Sequence, residues 1–227
     1  IFTQKRSPQY VQVSGALYFS QTYRITDSFK SLNGSKMNKT TKIIITGLTA
    51  LYISGCTFNT SKYGASFENI ETLKNYNGVK VAVKPFTSIL AGKSSISCRA
   101  AGSVITPKGE SFESYIHDAF VSELKVAGIY QEQSEITLSG HLSKIDFNSN
   151  IGNGKWVFEL TASSTTDETL NITSKHEFST NWVADKACQQ VAQEFSPAVQ
   201  FLIRDLITNP KFKDLVAPVK SVVVTKI

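Results

Sequence analysis

The chain has 227 residues, 24 Lys and Arg against 18 Asp and Glu, and a formal net charge of +6 at pH 7. That excess suggests a nucleic-acid-binding surface, but its distribution excludes one. Seven of the basic residues and a single acid, Asp27, precede Cys56, whereas the 172 residues from Cys56 onward carry 17 of each sign and still suffice for one domain with a real core.

The first predicted element is a targeting segment. The sole methionine, Met37, opens "MNKTTKIIITGLTALYISGC". Lys39 and Lys42 form a positive n-region, and the eleven residues from Ile43 to Ile53 form an apolar run. A membrane-spanning helix needs roughly 20 apolar residues, so the run fits a cleaved export signal instead. Ile53-Ser54-Gly55-Cys56 resembles a bacterial lipobox. There, small side chains admit the peptidase and a thiol is required for the diacylglyceryl thioether. The expectation is a signal peptide over 37–55 and an acylated Cys56 as the mature N-terminus, bearing palmitate-type chains. The alternative is a buried N-terminal helix that ends in Cys. Residues 1–36 lie upstream of a complete signal and read as translated upstream sequence, with a genuine extension as the alternative. Thr57, not Asp, follows Cys56, which favours the outer membrane.

Residues 56–78 read as a lipid-anchored tether, small and polar in "TFNTSKYGAS" and closed by the turn signal "NYNG". The domain is expected over 79–216. "VKVAVKPF" (79–86) alternates as a strand. Residues 87–109 are irregular, with a short strand possible at "SISCR". The apolar stripe Phe112, Tyr115, Ile116, Ala119, Phe120, Leu124 and Ala127 predicts a helix over 110–128, capped by Gly128. Glu113, Asp118 and Glu123 are expected on its solvated face.

Three half-buried antiparallel strands follow. "EITLSGHL" alternates, and the parity then flips at Ile145 and Phe147, which predicts a bulge near Ser143–Lys144. "WVFELTAS" and "LNITSKHEF" alternate in turn. Their polar positions leave a Ser/Thr-rich wet face of Thr137, Ser139, Thr161, Ser163 and Thr173, the candidate binding surface, with plain solvent exposure as its alternative. Residues 184–209 keep helical spacing, and Pro197 should kink them or split them into two helices. "PKFKDLVA" adds a further turn, and 217–227 is a tail. The order β-α-β-β-β-α predicts an α+β two-layer sandwich, with a mostly antiparallel sheet and two helices on one face.

Cys98 and Cys188 are an even pair in an exported chain, which reads as one disulfide; two separate buried thiols are the alternative. Catalytic signatures are sparse. His117, His141 and His176 stand apart without metal-ligand spacing, no Gly-x-Ser-x-Gly elbow occurs, and neither cysteine has a CxxC partner. "AGKSS" (91–95) lacks the first glycine of a P-loop. No cofactor or metal is expected beyond the lipid on Cys56.

"SISCRAAG", "PKGESFESYIHDAFVSELKVAGIY", "ITLSGHLSKIDF" and "ACQQVAQEFSPAVQFLIRDLI" are similar to Gram-negative envelope lipoproteins. The pattern resembles the YajG-type family and, in fold, the LptE and ABC-transport auxiliary lipoproteins, over about 79–209. The resemblance implies a non-enzymatic accessory or binding protein in envelope assembly or transport. Its partners would be the membrane, through its anchor, and an envelope protein or a lipid or glycan. The competing class is a periplasmic enzyme on an envelope substrate; no catalytic residue is assigned, His176 reads as a satisfied interior or edge residue, and turnover lost on mutating His141 or His176 would favour that class.

Overall fold

The computed structural model describes residues 56–218. The signal peptide over 37–55, the upstream segment 1–36 and positions 219–227 of the tail lie outside the described residues. In chain order the elements are β1 (Cys56–Asn59), α1 (Phe67–Lys74), β2 (Ala82–Val83), β3 (Thr87–Ser88), β4 (Ser95–Cys98) and β5 (Gly102–Ile105). A 3-10 turn at Pro107–Gly109 leads into α2 (Phe112–Val126). Then come β6 (Thr137–Asn148), β7 (Gly152–Ser164), β8 (Thr169–Thr180), α3 (Ala184–Gln193), α4 (Phe195–Ile207) and α5 (Phe212–Leu215).

The main sheet is built from β6, β7 and β8, paired antiparallel in sequence order, with β2 and β3 laid end to end along the outer edge of β6. Period-2 alternation sends Leu138, Leu142, Trp156, Phe158, Leu160, Leu170 and Ile172 to one face, where all are buried. The register of β6 against β7 shifts between Leu142 and Lys144, leaving Ser143 as the extra residue of a bulge, which is how Ile145 rejoins the core despite its odd number.

The fold is α+β, and helices cover the apolar face of this sheet. Ser111 caps α2, its hydroxyl accepting from the Ser114 N–H at 3.2 Å, and Gly128 leaves the helix at φ 77°. Chain 184–207 divides at Glu194, which ends α3 and begins α4. Pro197 sits just inside α4, where it has no N–H to give the preceding turn. An aromatic cluster joins the layers. Trp156 lies 4.9 Å from Phe195 and 6.5 Å from Phe112, centroid to centroid, and its indole N–H donates to Val191 O at 2.9 Å. Full burial of such side chains stabilises by about 1.5–3 kcal/mol each.

Several expectations are corrected. The strand over 79–86 is reduced to β2, followed by β3, and both run parallel to β6, because α2 provides the crossover that returns the chain in the same direction. Residues 87–109 are not merely irregular: β4 and β5 pair antiparallel, and β1 joins β5 in parallel to complete a second, three-stranded sheet against α3. The segment 56–78 is therefore no tether. Its first four residues are β1, Thr60 is buried, and α1 packs on α2 and α4. Glu113 and Glu123 do not lie on a solvated face either; both are buried, and only Asp118 of that trio is exposed. The disulfide Cys98–Cys188 is present, with Cα atoms 5.9 Å apart, and joins the end of β4 to the first half of α3.

Candidate functional site

Among the described residues the helices take one face of the main sheet and leave its other face open. Antiparallel pairing arranges that face in rungs across β6, β7 and β8. Ser139 faces Ser163, which faces Thr169. His141 faces Thr161, which faces Asn171. Lys144 faces Glu159, which faces Thr173. Two further rungs, Asp146–Val157–Lys175 and Asn148–Lys155–Glu177, run to the other end of the strands. The face is thus graded, with hydroxyls and amides at one end and charges of both signs at the other.

Four of the five candidate positions come together here. Ser139, Thr161, Ser163 and Thr173 lie within two rungs of one another, and none is buried. The Thr161 hydroxyl donates to Asn171 Oδ1 at 2.8 Å, and Ser163 Oγ lies 3.3 Å from Thr169 Oγ1. Thr137 sits at the rim. Its hydroxyl donates to Ser134 O at 3.3 Å and its N–H to Thr165 Oγ1 at 3.0 Å, so it serves the turns at that end. The sequence reading missed Thr169, Asn171 and Thr87, although the first two share the parity of Thr173. Thr87 reaches the face from the edge, its hydroxyl 2.8 Å from His141 Nδ1.

The histidines remain apart. His176 lies between sheet and helices, its Nε2 2.7 Å from Glu194 Oε2 and its ring 4.6 Å from that of Phe201. Two residues away, the buried Ser174 donates to Asp205 Oδ2 at 2.6 Å. A serine, a histidine and two carboxylates therefore share one seam, but the serine is bonded to an aspartate and not to the histidine, so no serine–histidine pair is formed there. His117 bonds Asp118 at 2.7 Å and rests its ring against Phe86.

A second polar centre surrounds Glu123. Its Oε1 accepts from the Tyr63 hydroxyl, from the Ser66 N–H at 2.9 Å and from Asn69 Nδ2 at 3.2 Å, while Oε2 is buried without a partner. Burial raises the Glu123 carboxyl above its ordinary pKa, and the three donors offset this only in part. Tyr63 is pushed far up in turn, first by burial and then by its bond to Glu123. Beside it opens a cleft of about 320 Å³ lined by Lys62, Tyr63, Lys108, Glu110, Tyr115 and Asp118 among others. Burial, then the nearby Asp118 charge, raises Glu110 there.

Cys56 is exposed with a free thiol. Among the described residues, no group of three His, Cys, Asp or Glu side chains is placed to hold a metal, and no helix is long and apolar enough to cross a membrane.

No protein-family model and no curated protein matches the sequence. Two solved structures are similar. One is the crystal structure of protein XCC0632 from Xanthomonas campestris, of family DUF330. It has 9% identity and a TM-score of 0.46, over 71% of this chain and 95% of that one. The other is the hypothetical protein CT253 from Chlamydia trachomatis, with 9% identity and a TM-score of 0.40, over 62% of this chain and 99% of that one.

Proposed function

We propose that this chain is a lipid-anchored envelope protein, acylated at Cys56 and held on the periplasmic face of the outer membrane. There it acts by binding an envelope protein, not by catalysis. The observation that carries this reading is the open face of the main sheet: five rungs of uncovered, mostly polar side chains on three long strands. A rigid sheet is a good platform for such a surface, because its side chains are fixed in register by the ladder beneath them. Support also comes from the lipobox pattern before Cys56 and from the resemblance to YajG-type lipoproteins. Acylation would confine the domain to a surface and raise its effective concentration near a membrane partner. The diacylglyceryl group matters, since a single chain binds only marginally.

The test places photo-crosslinking residues at Thr161 and Ser163, and at the exposed Asp118 as a control, in the acylated chain in cells. Crosslinks to one discrete protein from the first two sites only, lost when Lys144 and Glu159 are exchanged in charge, support the reading. Crosslinks to lipid or glycan would redirect it to that ligand. Loss of cellular function on His141→Ala with crosslinking intact would favour an enzyme. Intact mass settles the anchor separately: Cys56→Ser should leave the chain unacylated and its signal uncut.

A further inference from the structure

The structure leaves no slack between Cys56 and the fold. β1 starts at Cys56 itself, which pairs with Gly102, and Gly102 in turn pairs with Cys98. At neighbouring-strand spacing these three positions span about 10 Å. They mark one end of the small sheet, because β4 and β5 are joined there by the turn 99–101, which the Ala101 N–H closes onto Cys98 O at 2.9 Å. Arg99 and Ala100 hold left-handed backbone in that turn, at φ 47° and 54°, a conformation uncommon outside glycine.

Arg99 gathers two other loops to the same end. Its Nε–H donates to Ser149 Oγ at 2.9 Å, and its terminal nitrogen reaches Asn181 O and Trp182 O, each at 3.4 Å. Ser149 begins the β6–β7 hairpin tip, and Asn181 and Trp182 connect β8 to α3. The Thr180 hydroxyl ties the two loops together by donating to Asn150 O. On these loops stand Ile151, 74% exposed, and Trp182, 76% exposed, the two most exposed large apolar side chains among the described residues. The other three, Phe67, Ile89 and Val126, lie singly on separate elements or loops.

We propose that Trp182 and Ile151 form a membrane-seating end: they enter the headgroup region of a phospholipid bilayer beside the acyl chains on Cys56. The inference rests on the anchoring proposed for Cys56 and goes beyond it, because an anchor alone sets distance and not orientation. Tryptophan suits this place. Its ring is amphipathic, and it is enriched where membrane meets water. Three attachments around one end, a lipid and two side chains, hold the domain in one pose, where a tethered domain would tumble.

The chain's two tryptophans make the test internal, since Trp156 is fully buried. The acylated full chain is reconstituted into vesicles of phosphatidylethanolamine and phosphatidylglycerol whose acyl chains carry bromine near the headgroup. The expected result is a blue shift and loss of most of the Trp182 emission, with Trp156 unaffected, and no such loss in Trp182→Phe. An Ile151→Ser variant should show shallower quenching. Mass spectrometry of the same sample separates the two readings. If the chain is acylated and vesicle-bound but Trp182 stays unquenched, the seating is wrong while the anchor stands. If the chain carries no lipid, both fall. Quenching that persists in Trp182→Phe also overturns the proposal, because it would then come from the other tryptophan.

Discussion

The two sheets of this protein are held by different means. The three long strands of the main sheet, of 12, 13 and 12 residues, are joined by tight hairpins and pair in sequence order, with only the two-residue β2 and β3 added from a distance at the edge. The small sheet has three strands of four residues each, and its parallel pair joins positions 56–59 to 102–105. Short strands bury little, and closing a loop of that length costs entropy before any contact repays it. The small sheet therefore depends on outside support: the disulfide from Cys98 to Cys188 and the packing of α3. Pairing that is local in sequence gives an autonomous sheet, whereas the distant pairing of β1 gives one that must be fastened.

The largest effect should come from the autonomous sheet. Trp156→Ala removes the centre of the aromatic cluster and orphans Val191 O, and should cost about 3–5 kcal/mol by urea denaturation, with both sheets lost together. Replacing Cys98 and Cys188 together by Ser should cost about 2–4 kcal/mol. Here hydrogen exchange sharpens the contrast: amides of β1, β4 and β5 should lose protection well before those of β7, and equal loss in both sheets would contradict the dependence just described. Gly102→Ala is narrower still. A Cβ there would stand 1.9 Å from Cys56 O, so β1 must shift, at about 1–3 kcal/mol, while β6–β8 keep their protection.

The smallest effect is a pH dependence where α1 meets α2. Glu123 has a raised pKa in the fold, so its contribution to stability is full below the unfolded value near 4.5 and is lost as pH rises through the folded value. Glu123→Gln should flatten that fall and leave the protein at neutral pH no less stable than the parent, since the amide oxygen can accept the same donors. Thermal midpoints of both proteins over pH 4–8, expressed as a difference, isolate this group; a difference that does not vary with pH would show that Glu123 does not titrate there.

The sequence showed the parts with strong periodicity. Alternation found β6, β7 and β8, helical spacing found α2 and the split pair around Pro197, and the parity flip at Ile145 located the bulge. The even pair of cysteines foretold the disulfide. What escaped was nonlocal. "CTFN" and "GSVI" have no alternation long enough to declare a strand, and nothing within either announces the other as its partner. Glu123 looked solvated because its donors, Tyr63, Ser66 and Asn69, lie far away in a segment that read as loose chain. The open face was visible through the parity of Thr161, Ser163 and Thr173, but the contribution of Thr87 required the parallel register of β3 against β6.

The disulfide also makes a closed covalent ring. Cys98 and Cys188 are 90 positions apart, and the ring between them contains β5, α2 and all three long strands. A protease that cuts a single bond anywhere within it, at the exposed Ile151 tip for example, opens the ring without releasing a fragment. The nicked protein runs as one species until it is reduced and as two afterwards. Damage at the hairpin tip would leave both pieces, and with them the whole open face, joined through the Cys98–Cys188 bond.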